Sequence, residues 1–504
     1  AFLIFALTGG GRIVGSDEVT MFQLAHAMLE GHIDVPQGAT LQGPDGRYYS
    51  KNTAGQAVLS LPLVAAGSFA ARAAGFRKER AVLAGRFGAS FFNAFMAAAL
   101  LGVFYLFARR LGVGARAGLA ATAMLGFTTP LWVYAKSFMA EPTEALGLLL
   151  TLGGAALGSA GREQTLPGER RWLWVAALGA FLAISAKASM LPLALLALTA
   201  LGVSRVSRYA IPALGVAVAV VGHLIYNAAR FGTPFESGYG AQASVAAFST
   251  PLWVGVYGLL LSSGKGLAWF APAAWLAPLG WAAMRRARAH SDEPHNGAAH
   301  AAARAGLAVF VVALAQFGSF QHWGGDGSWG PRYLVPLLPL LLLAVAFALE
   351  GASRARRRIA WGLAIAGLLV QLGGVGIYFG AQMRVAGDYP YTLALENPHF
   401  MEASHFDPRF TPIVGHWRML IDNGAAHLRG DAPVLAGGGV VDPRLGIPPG
   451  DSQALLRAID LWWCYASYAG IPRAPLVLAV VALLVASLWA AAKAVRSAEE
   501  ENSA

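Results

Sequence analysis

Long apolar runs separated by short polar connections dominate the sequence from residue 87 onward. Each run approaches the roughly 20 residues that an α-helix needs to cross a bilayer. The pattern therefore predicts an all-α membrane protein with many transmembrane helices. The predicted spans are 87–107, 117–135, 143–158, 172–186, 189–204, 209–229, 267–284, 305–320, 333–350, 359–379 and 474–492.

A short apolar segment, residues 1–8, precedes these runs and is too short to span by itself. We expect it to be the outer end of a first helix, which brings the predicted total to about twelve transmembrane helices, the first one partial. Arginine clusters fall on every second connection between the spans. By the positive-inside rule those connections are cytoplasmic, and the others face outward. The predicted outward segments are 9–86, 136–142, 187–188, 230–266, 321–332 and 380–473.

Three regions follow from this topology. Residues 1–379 form a transmembrane module with a long first outer loop, 9–86. Residues 380–473, rich in Pro, Gly, His and aromatic residues, are predicted to form a small outer cap that packs on the outer loops. Residues 474–504 form the last transmembrane helix and a cytoplasmic tail.

The first outer loop is predicted to contain two helices. Residues 19–29 place apolar side chains at a spacing of three and four, which predicts an amphipathic helix at the membrane surface. Residues 55–75 form a second apolar helix. If that helix spanned, every later arginine cluster would face outward, so we predict that it lies in the interface or enters the membrane without crossing.

The composition excludes several classes of protein. The chain of 504 residues is 56% hydrophobic and only 13% charged, which is not the composition of a soluble domain. Its net charge of +11 comes from clusters between apolar runs, which indicates membrane topology rather than nucleic-acid binding. Cys464, the single cysteine, cannot form an intramolecular disulfide. The phosphate-binding motif of ATP-driven pumps is absent from the sequence.

Acidic residues open two helices on the predicted outer face. Ser16, Asp17 and Glu18 follow the first apolar segment, and Glu141 and Glu144 open another span. One interpretation is helix capping, because Ser and Asp are preferred caps and acids in a first turn suit the helix dipole. The other makes Asp17 a general base, and lets the two glutamates frame a site or hold a divalent cation.

Basic residues lie on the same predicted face. Lys51 ends the run Arg47-Tyr-Tyr-Ser-Lys51, and Arg332 and Tyr333 enter a span. An arginine there either extends to the lipid headgroups or binds a lipid phosphate with its planar fork. A transporter would be expected to place ionisable groups at mid-membrane, and the predicted spans have none. The distribution favours a substrate site at the outer interface.

The order of these motifs resembles that of the GT-C superfamily of membrane glycosyltransferases. The motifs are Ser16-Asp-Glu18, Tyr49-Ser-Lys51 before an apolar helix, Arg86 before the next span, Glu141 with Glu144, and Pro331-Arg-Tyr333. Within the superfamily the sequence is most similar to the protein O-mannosyltransferases and the lipid A aminoarabinose transferase.

The resemblance implies an inverting glycosyltransferase that takes a sugar from a polyprenyl-phosphate donor at the outer face of the membrane. Asp17 would deprotonate the acceptor, while Arg332, helped by Lys51, would stabilise the departing phosphate. Glu141 or Glu144 would orient the substrate or a cation. The further substrate contacts that we predict are Glu18, Tyr49 and Tyr333.

The same resemblance sets the expected partners and location. The partners are the lipid-linked sugar, an acceptor that is a glycan, a lipid or a protein, and the membrane lipids, with no nucleic acid. No cofactor follows from the sequence, although a divalent cation is compatible with it. The Arg- and Ala-rich usage suggests a bacterial inner membrane, with the site facing the periplasm.

Two other functions fit the same topology. A lipid or glycan flippase would use the outer acids only as helix caps and the arginines to bind headgroups. A non-catalytic membrane subunit would need none of these residues individually. Replacement of Asp17 by Asn separates them, since only an enzyme that needs a base should lose its activity.

Overall fold

The computed structural model describes residues 1–38, 40–159, 167–202, 206–287, 294–325, 327–381, 405–435, 454–455 and 457–503. The described part is helical apart from one short hairpin. Its first half contains α1 (Phe2–Leu7), α2 (Ser16–Leu29), β1 (Thr40–Gln42), β2 (Tyr48–Ser50), α3 (Gly55–Ala73), α4 (Lys78–Ala89), α5 (Phe92–Arg110), α6 (Ala115–Phe127), α7 (Leu131–Ala135), α8 (Glu141–Ser159), α9 (Pro167–Ala186), α10 (Leu191–Leu198) and α11 (Ala210–Phe231). The second half contains α12 (Leu252–Leu261), α13 (Leu267–Phe270), α14 (Ala277–Ala287), α15 (Pro294–Gly318), α16 (Leu338–Leu349), α17 (Arg354–Gly376), α18 (Pro412–Leu428), α19 (Trp462–Tyr468) and α20 (Arg473–Ser503).

Every predicted apolar run contains helix, and three of the runs are broken near proline. The run 117–135 divides into α6 and α7 at Pro130. The run 267–284 divides into α13, a 3-10 helix Pro272–Leu276, and α14. The third run, 333–350, begins in a 3-10 helix, Arg332–Leu337, which contains Pro336 and leads into α16. Proline cannot donate the backbone hydrogen bond that a continuous α-helix requires, which accounts for these breaks.

The prediction of an all-α polytopic membrane protein is confirmed. Within the described residues, seven helices are long and apolar enough to cross a membrane: Gly55–Ala73, Lys78–Arg110, Val206–Phe231, Gly297–Gly318, Arg332–Leu349, Arg354–Gly376 and Arg473–Glu500. The total of twelve spans stays a prediction. Because α3 is among the seven, its predicted place in the interface also stays a prediction.

Glycines allow several helices to touch backbone to backbone. A Cβ on Gly147 of α8 would lie 2.4 Å from the backbone nitrogen of Ala183 in α9. A Cβ on Gly280 of α14 would lie 1.7 Å from the carbonyl oxygen of Ala344 in α16. Small residues at such crossings are typical of membrane proteins, where close van der Waals packing replaces the hydrophobic effect between helices.

The amphipathic helix α2 packs inside the protein. Its apolar residues Phe22 and Leu24 are 4% and 0% exposed, and they join Val64 of α3, Phe92 of α5 and Phe138 in one core cluster. The face that the sequence suggested for the membrane surface is therefore covered by protein. This burial fixes the first turn of α2, which carries Asp17.

The outer segment after α17 is described only in part. Helix α18 packs against α17, where the indole of Trp417 donates to the carbonyl of Leu369 at 2.9 Å. Residues 382–404 and 436–453, which belong to the predicted cap, lie outside the described residues. The division into module, cap and last helix therefore stays a prediction.

Candidate active site

The carboxylate of Asp17 lies between two cations that come from distant parts of the chain. Its Oδ1 is 3.4 Å from the Nζ of Lys51, and its Oδ2 is 3.6 Å from Nη1 of Arg332. Asp17 is in the first turn of α2, Lys51 follows directly after β2, and Arg332 opens the 3-10 helix Arg332–Leu337. Three of the predicted site residues are thus in one cluster.

Glu141 completes this cluster from the first turn of α8. Its Oε1 accepts a hydrogen bond from Nε of Arg332, and its side chain is 1% exposed. Arg332 therefore bridges Asp17 and Glu141. The turn before Arg332 is fixed by Gly330, whose φ of +59° and close approach to Phe270 leave no room for a side chain.

The surrounding charges keep Asp17 ionised. Burial by itself raises the pKa of Asp17, but the positive charges of Lys51, Arg332 and Lys187 outweigh it and hold the pKa below its usual value. A carboxylate in this state can accept a proton or a hydrogen bond from a substrate hydroxyl. The same two cations are positioned to bind an anion beside it.

Glu144 adds a second buried acid near Glu141. It is 2% exposed, one turn further along α8. Oε2 of Glu141 and Oε1 of Glu144 are buried and receive no hydrogen bond from any described residue. Oxygens of this kind suit a substrate hydroxyl or a hard cation. However, the described residues contain no group of three acidic, histidine or cysteine side chains arranged to hold a metal, so we assign none.

Tyr333 borders the same cluster. Its ring stacks on Phe317 with centroids 5.0 Å apart, and the Nζ of Lys187 lies 4.9 Å from its centroid. Because Lys187 also lowers the pKa of Asp17, Tyr333 is close to the charged groups. Its predicted contact with substrate stays a prediction that this location supports.

Arg230 and its neighbours hold the segment that carries Lys51. The Nη1 of Arg230 donates to the carbonyl of Ser50, and its Nη2 donates to Oδ1 of Asn227 at 2.7 Å. The hydroxyl of Tyr239 donates to Oδ1 of Asn52 at 3.2 Å, and the ring of Tyr239 lies 5.8 Å from the Nζ of Lys51. These groups surround the residues on both sides of Lys51.

Glu18 is held by the backbone rather than turned toward the cluster. Its Oε2 accepts from the N–H of Gly15 at 2.7 Å, and its Oε1 accepts from the N–H of Phe138 at 2.5 Å. Burial raises its pKa, although these two hydrogen bonds oppose the effect. Both carboxylate oxygens thus join the segment before α2 to the segment before α8. We assign Glu18 a positioning role, and its predicted contact with substrate stays a prediction.

Tyr49 belongs to the hairpin core. Its hydroxyl donates to Oδ2 of Asp45 at 2.7 Å, and its ring packs edge-on against Phe231 at 6.1 Å. Among the described residues, the Tyr49 side chain contacts these two rather than Asp17 or Arg332. Side chains alternate between the two faces of a strand, so Tyr49 points to the opposite face from the residues directly before and after it. Its predicted substrate contact therefore has no support from the geometry.

A second buried cluster of charges lies beside the first. The carboxylate of Asp460 is 2.7 Å from the Nζ of Lys136, 3.2 Å from Nε and Nη2 of Arg12, and 2.8 Å from the hydroxyl of Tyr465. Lys136 also donates to the carbonyls of Val375 and Asp460. Asp460 thus connects Arg12, which lies 448 positions away in the sequence, to the segments that Glu18 joins.

A buried amide network supports the start of α8. Thr143 donates to Oε1 of Gln56 at 3.0 Å, and Nε2 of Gln56 donates to Oδ1 of Asn93 at 3.1 Å. Asn93 in turn donates to the carbonyl of Met139 at 2.6 Å. Gln56, Asn93 and Thr143 are all 0% exposed, so each hydrogen bond is shielded from water. The network fixes the turn that presents Glu141.

Arg12, Lys136 and Arg230 were missed by the sequence reasoning, because no motif marks them. All three lie on connections that the arginine pattern assigns to the outer face. Those outer segments carry 20 of the 38 Lys and Arg residues, so a basic residue there is not by itself an exception that points to a site.

Comparison with known proteins identifies the fold. No family model and no curated protein sequence matches the chain. Among solved structures the chain is similar to ArnT from Cupriavidus metallidurans bound to undecaprenyl phosphate, with a TM-score of 0.52 and 17% identity over 95% of this chain and 75% of that chain. The apo structure of the same ArnT gives a TM-score of 0.50 over the same shares.

A weaker similarity links the chain to the oligosaccharyltransferase of Archaeoglobus fulgidus. The TM-score is 0.47 at 12% identity, over 92% of this chain and 68% of that chain, which is too low to add to the argument. The similarity to ArnT shows the fold. The chain therefore shares the fold of ArnT, which agrees with the fold that the motif order predicted.

Proposed function

We propose that the protein is an inverting glycosyltransferase that moves a sugar from a polyprenyl-phosphate donor to an acceptor at the outer face of the membrane. The observation that carries this proposal is the carboxylate of Asp17 held between Lys51 and Arg332, with Glu141 holding Arg332 from behind. On a GT-C fold, this arrangement combines a base with two cations suited to a phosphate leaving group.

The proposed step is a single displacement. Asp17 takes the proton from the acceptor hydroxyl as the acceptor oxygen forms a bond to the anomeric carbon. The bond between that carbon and the phosphate oxygen breaks, and the polyprenyl phosphate leaves with the electron pair. Lys51 and Arg332 stabilise the negative charge that grows on the phosphate. Attack opposite the leaving group inverts the anomeric centre.

Donor binding also changes the base. In the structure, Lys51 and Arg332 both face Asp17 and lower its pKa, which weakens it as a base. A donor phosphate that binds these cations offsets part of their positive charge, so less of that charge stabilises the Asp17 carboxylate. The pKa of Asp17 then rises toward that of an ordinary carboxyl, and its affinity for the acceptor proton increases. Donor binding thus activates the base.

The membrane setting supports a lipid-linked donor. The protein is an integral membrane protein, and the acids and phosphate-competent bases lie on segments that the arginine pattern assigns to the outer face. The similar ArnT structure contains undecaprenyl phosphate, a lipid of the proposed leaving-group class. We propose a bacterial inner membrane with the site facing the periplasm, and an acceptor that is a glycan, a lipid or a protein.

The test is sugar transfer by purified protein in detergent across a panel of polyprenyl-phosphate sugars, measured as free polyprenyl phosphate released. We expect Asp17→Asn to lower the rate by about 10²–10⁴-fold, the range for loss of a general base. Asp431→Asn is the matched control, because Asp431 lies in an exposed ion pair with Arg429.

The outcomes separate the alternatives. Release that Asp17→Asn loses and Asp431→Asn retains supports the transferase and its base together. Equal release by wild type and Asp17→Asn would place the base elsewhere. If neither protein releases the phosphate while both bind the lipid, the flippase becomes the better hypothesis.

A further inference from the structure

A groove of about 480 Å³ lies along residues 10–14, the segment that leads to Asp17. Its other walls come from α4, α19 and the first turn of α20. This volume is within the range of about 300–1,000 Å³ that small-molecule sites have. None of Asp17, Lys51, Glu141 and Arg332 lines the groove, so it is distinct from the candidate active site.

One part of the groove is apolar and exposed at the surface of the protein. Its wall residues Leu83, Phe87 and Ile471 are 42%, 46% and 47% exposed. Leu476 belongs to α20, whose apolar window is nowhere buried inside the protein. Surface of this kind on a spanning helix faces the hydrocarbon of the bilayer. A hydrocarbon chain can therefore enter the groove from the membrane without crossing water.

The other part of the groove is positively charged. Its charged lining residues are Arg12 and Arg86, and no acidic side chain among the described residues lines it. Arg12 contacts Asp460 through Nε and Nη2 while 17% of its side chain stays exposed. Trp462 and Tyr465 stand beside it, and such rings are typical of the headgroup level of a membrane. The charge suits a phosphate, for which guanidinium groups are well shaped.

We propose that this groove binds a phosphate-bearing glycerophospholipid of the surrounding membrane. One acyl chain lies along Leu83, Phe87 and Leu476, and the phosphate lies against the guanidinium groups of Arg12 and Arg86. A bilayer lipid is favoured over a prenyl phosphate because the exposed wall opens the groove to the most abundant lipids. This inference does not rest on the proposed sugar transfer.

A lipid in the groove also bears on the candidate active site. Residues 10–14 form one wall of the groove and run directly into Gly15, whose N–H is held by Glu18. The bound lipid therefore packs against the segment that sets the start of α2. Occupancy should raise the thermal stability of the protein by mass action, because the unfolded chain lacks the groove.

The experiment is native mass spectrometry of the purified protein with phosphatidylglycerol and with phosphatidylcholine of identical acyl chains. We expect one phosphatidylglycerol to bind with an affinity at least about tenfold higher, equivalent to 1.4 kcal/mol. Ala469→Trp fills the groove without removing a polar group, and should lower that affinity about tenfold or more. Leu178→Trp, at a 52% exposed position of α9, is the matched control and should bind as wild type does.

The experiment includes one further variant, Arg86→Gln, and a competition with undecaprenyl phosphate. Arg86→Gln should abolish the preference for phosphatidylglycerol, and its thermal midpoint reports whether it folds. Equal affinity for the two lipids in the wild type, or full binding by Ala469→Trp, would overturn the proposal. Displacement of phosphatidylglycerol by a lower concentration of undecaprenyl phosphate would also overturn it, in favour of a second prenyl site. No sugar donor is present, so a failure here is distinct from a failure of the transferase.

Discussion

Asp460 offers the sharpest test of how the site is held, and Asp460→Asn is the perturbation. The side chain of Asp460 is 7% exposed, and it contacts Lys136, Arg12 and Tyr465. Asn keeps the shape of the side chain but removes its charge. Two cations are then left in a buried environment without their counter-charge, which is the costly case for a buried ion pair.

The loss of stability that Asp460→Asn should cause follows from two separate arguments. Burial by itself raises the pKa of Asp460, but Lys136 and Arg12 outweigh it and lower that pKa from 3.8 to about 2. At 1.36 kcal/mol per pH unit, this depression corresponds to about 2–3 kcal/mol in favour of the ionised form. Breaking a buried pair by removing one partner typically costs about 3–5 kcal/mol. We therefore expect Asp460→Asn to destabilise the protein by about 2–5 kcal/mol.

The assay is thermal unfolding in one detergent at pH 7. At about 2 °C per kcal/mol, the low end for chains of moderate size, the midpoint should fall by about 4–10 °C. Asp431→Asn is the control, because its pair with Arg429 is 3.8 Å long and about two-thirds exposed on each side. An exposed pair of this kind contributes about 0–1 kcal/mol. Lys136→Met should destabilise the Asp460→Asn background less than it destabilises the wild type.

A pH series provides the refutation. The folded-state pKa of Asp460 is depressed, so its contribution is complete above about pH 4 and is lost as the pH falls toward about 2. The difference in midpoint between wild type and Asp460→Asn should shrink over that range. If Asp460→Asn unfolds within about 1 °C of Asp431→Asn at pH 7, far below the expected fall in midpoint, the buried cluster does not hold the site.

Three further predictions concern single residues. Arg332→Lys keeps the charge but cannot bridge Asp17 and Glu141, so the rate of polyprenyl phosphate release should fall about 10²–10³-fold while the lipid still binds. Gln56→Leu leaves the hydroxyl of Thr143 and Oδ1 of Asn93 without that partner, which should lower the free energy of unfolding by about 1–3 kcal/mol. Thr143→Val should then lower it less in the Gln56→Leu background than in the wild type. Gly280→Ala drives a methyl group into Ala344 and should lower the midpoint by the equivalent of about 1–3 kcal/mol, whereas Gly222→Ala, which meets nothing within 4 Å, should not lower it.

The helices could be predicted from the sequence because apolar runs of this length permit little else in a membrane. Helices α11 and α17 follow the predicted runs within a few residues. The breaks at Pro130 and within 267–284 were not predicted, although proline marks both. One proline hardly changes the total hydrophobicity of a run. It does remove a backbone hydrogen bond, and this loss breaks the helix.

The candidate site was predicted in part. Asp17, Lys51, Glu141 and Arg332 do meet, and Asp17, Glu141 and Arg332 each stand at the start of a helix, where the sequence placed them. Glu18 and Tyr49 differ because local hydrogen bonds to Gly15, Phe138 and Asp45 decide where those side chains point. The cluster around Asp460 joins residues 448 positions apart, and one sequence alone carries no signal for such a pairing.

This separation of Arg12 and Asp460 has a consequence for biosynthesis. Arg12 leaves the ribosome 448 residues before Asp460, which follows almost the whole membrane module. Until Asp460 is synthesised, Arg12 and Lys136 lack their shared carboxylate. The segments that position Asp17 are then held by the hydrogen bonds of Glu18 but not by the Asp460 cluster. A chain that stops short of residue 460 should therefore insert most of its helices and still have an incomplete site. Assembly of the site is thereby coupled to the synthesis of residue 460.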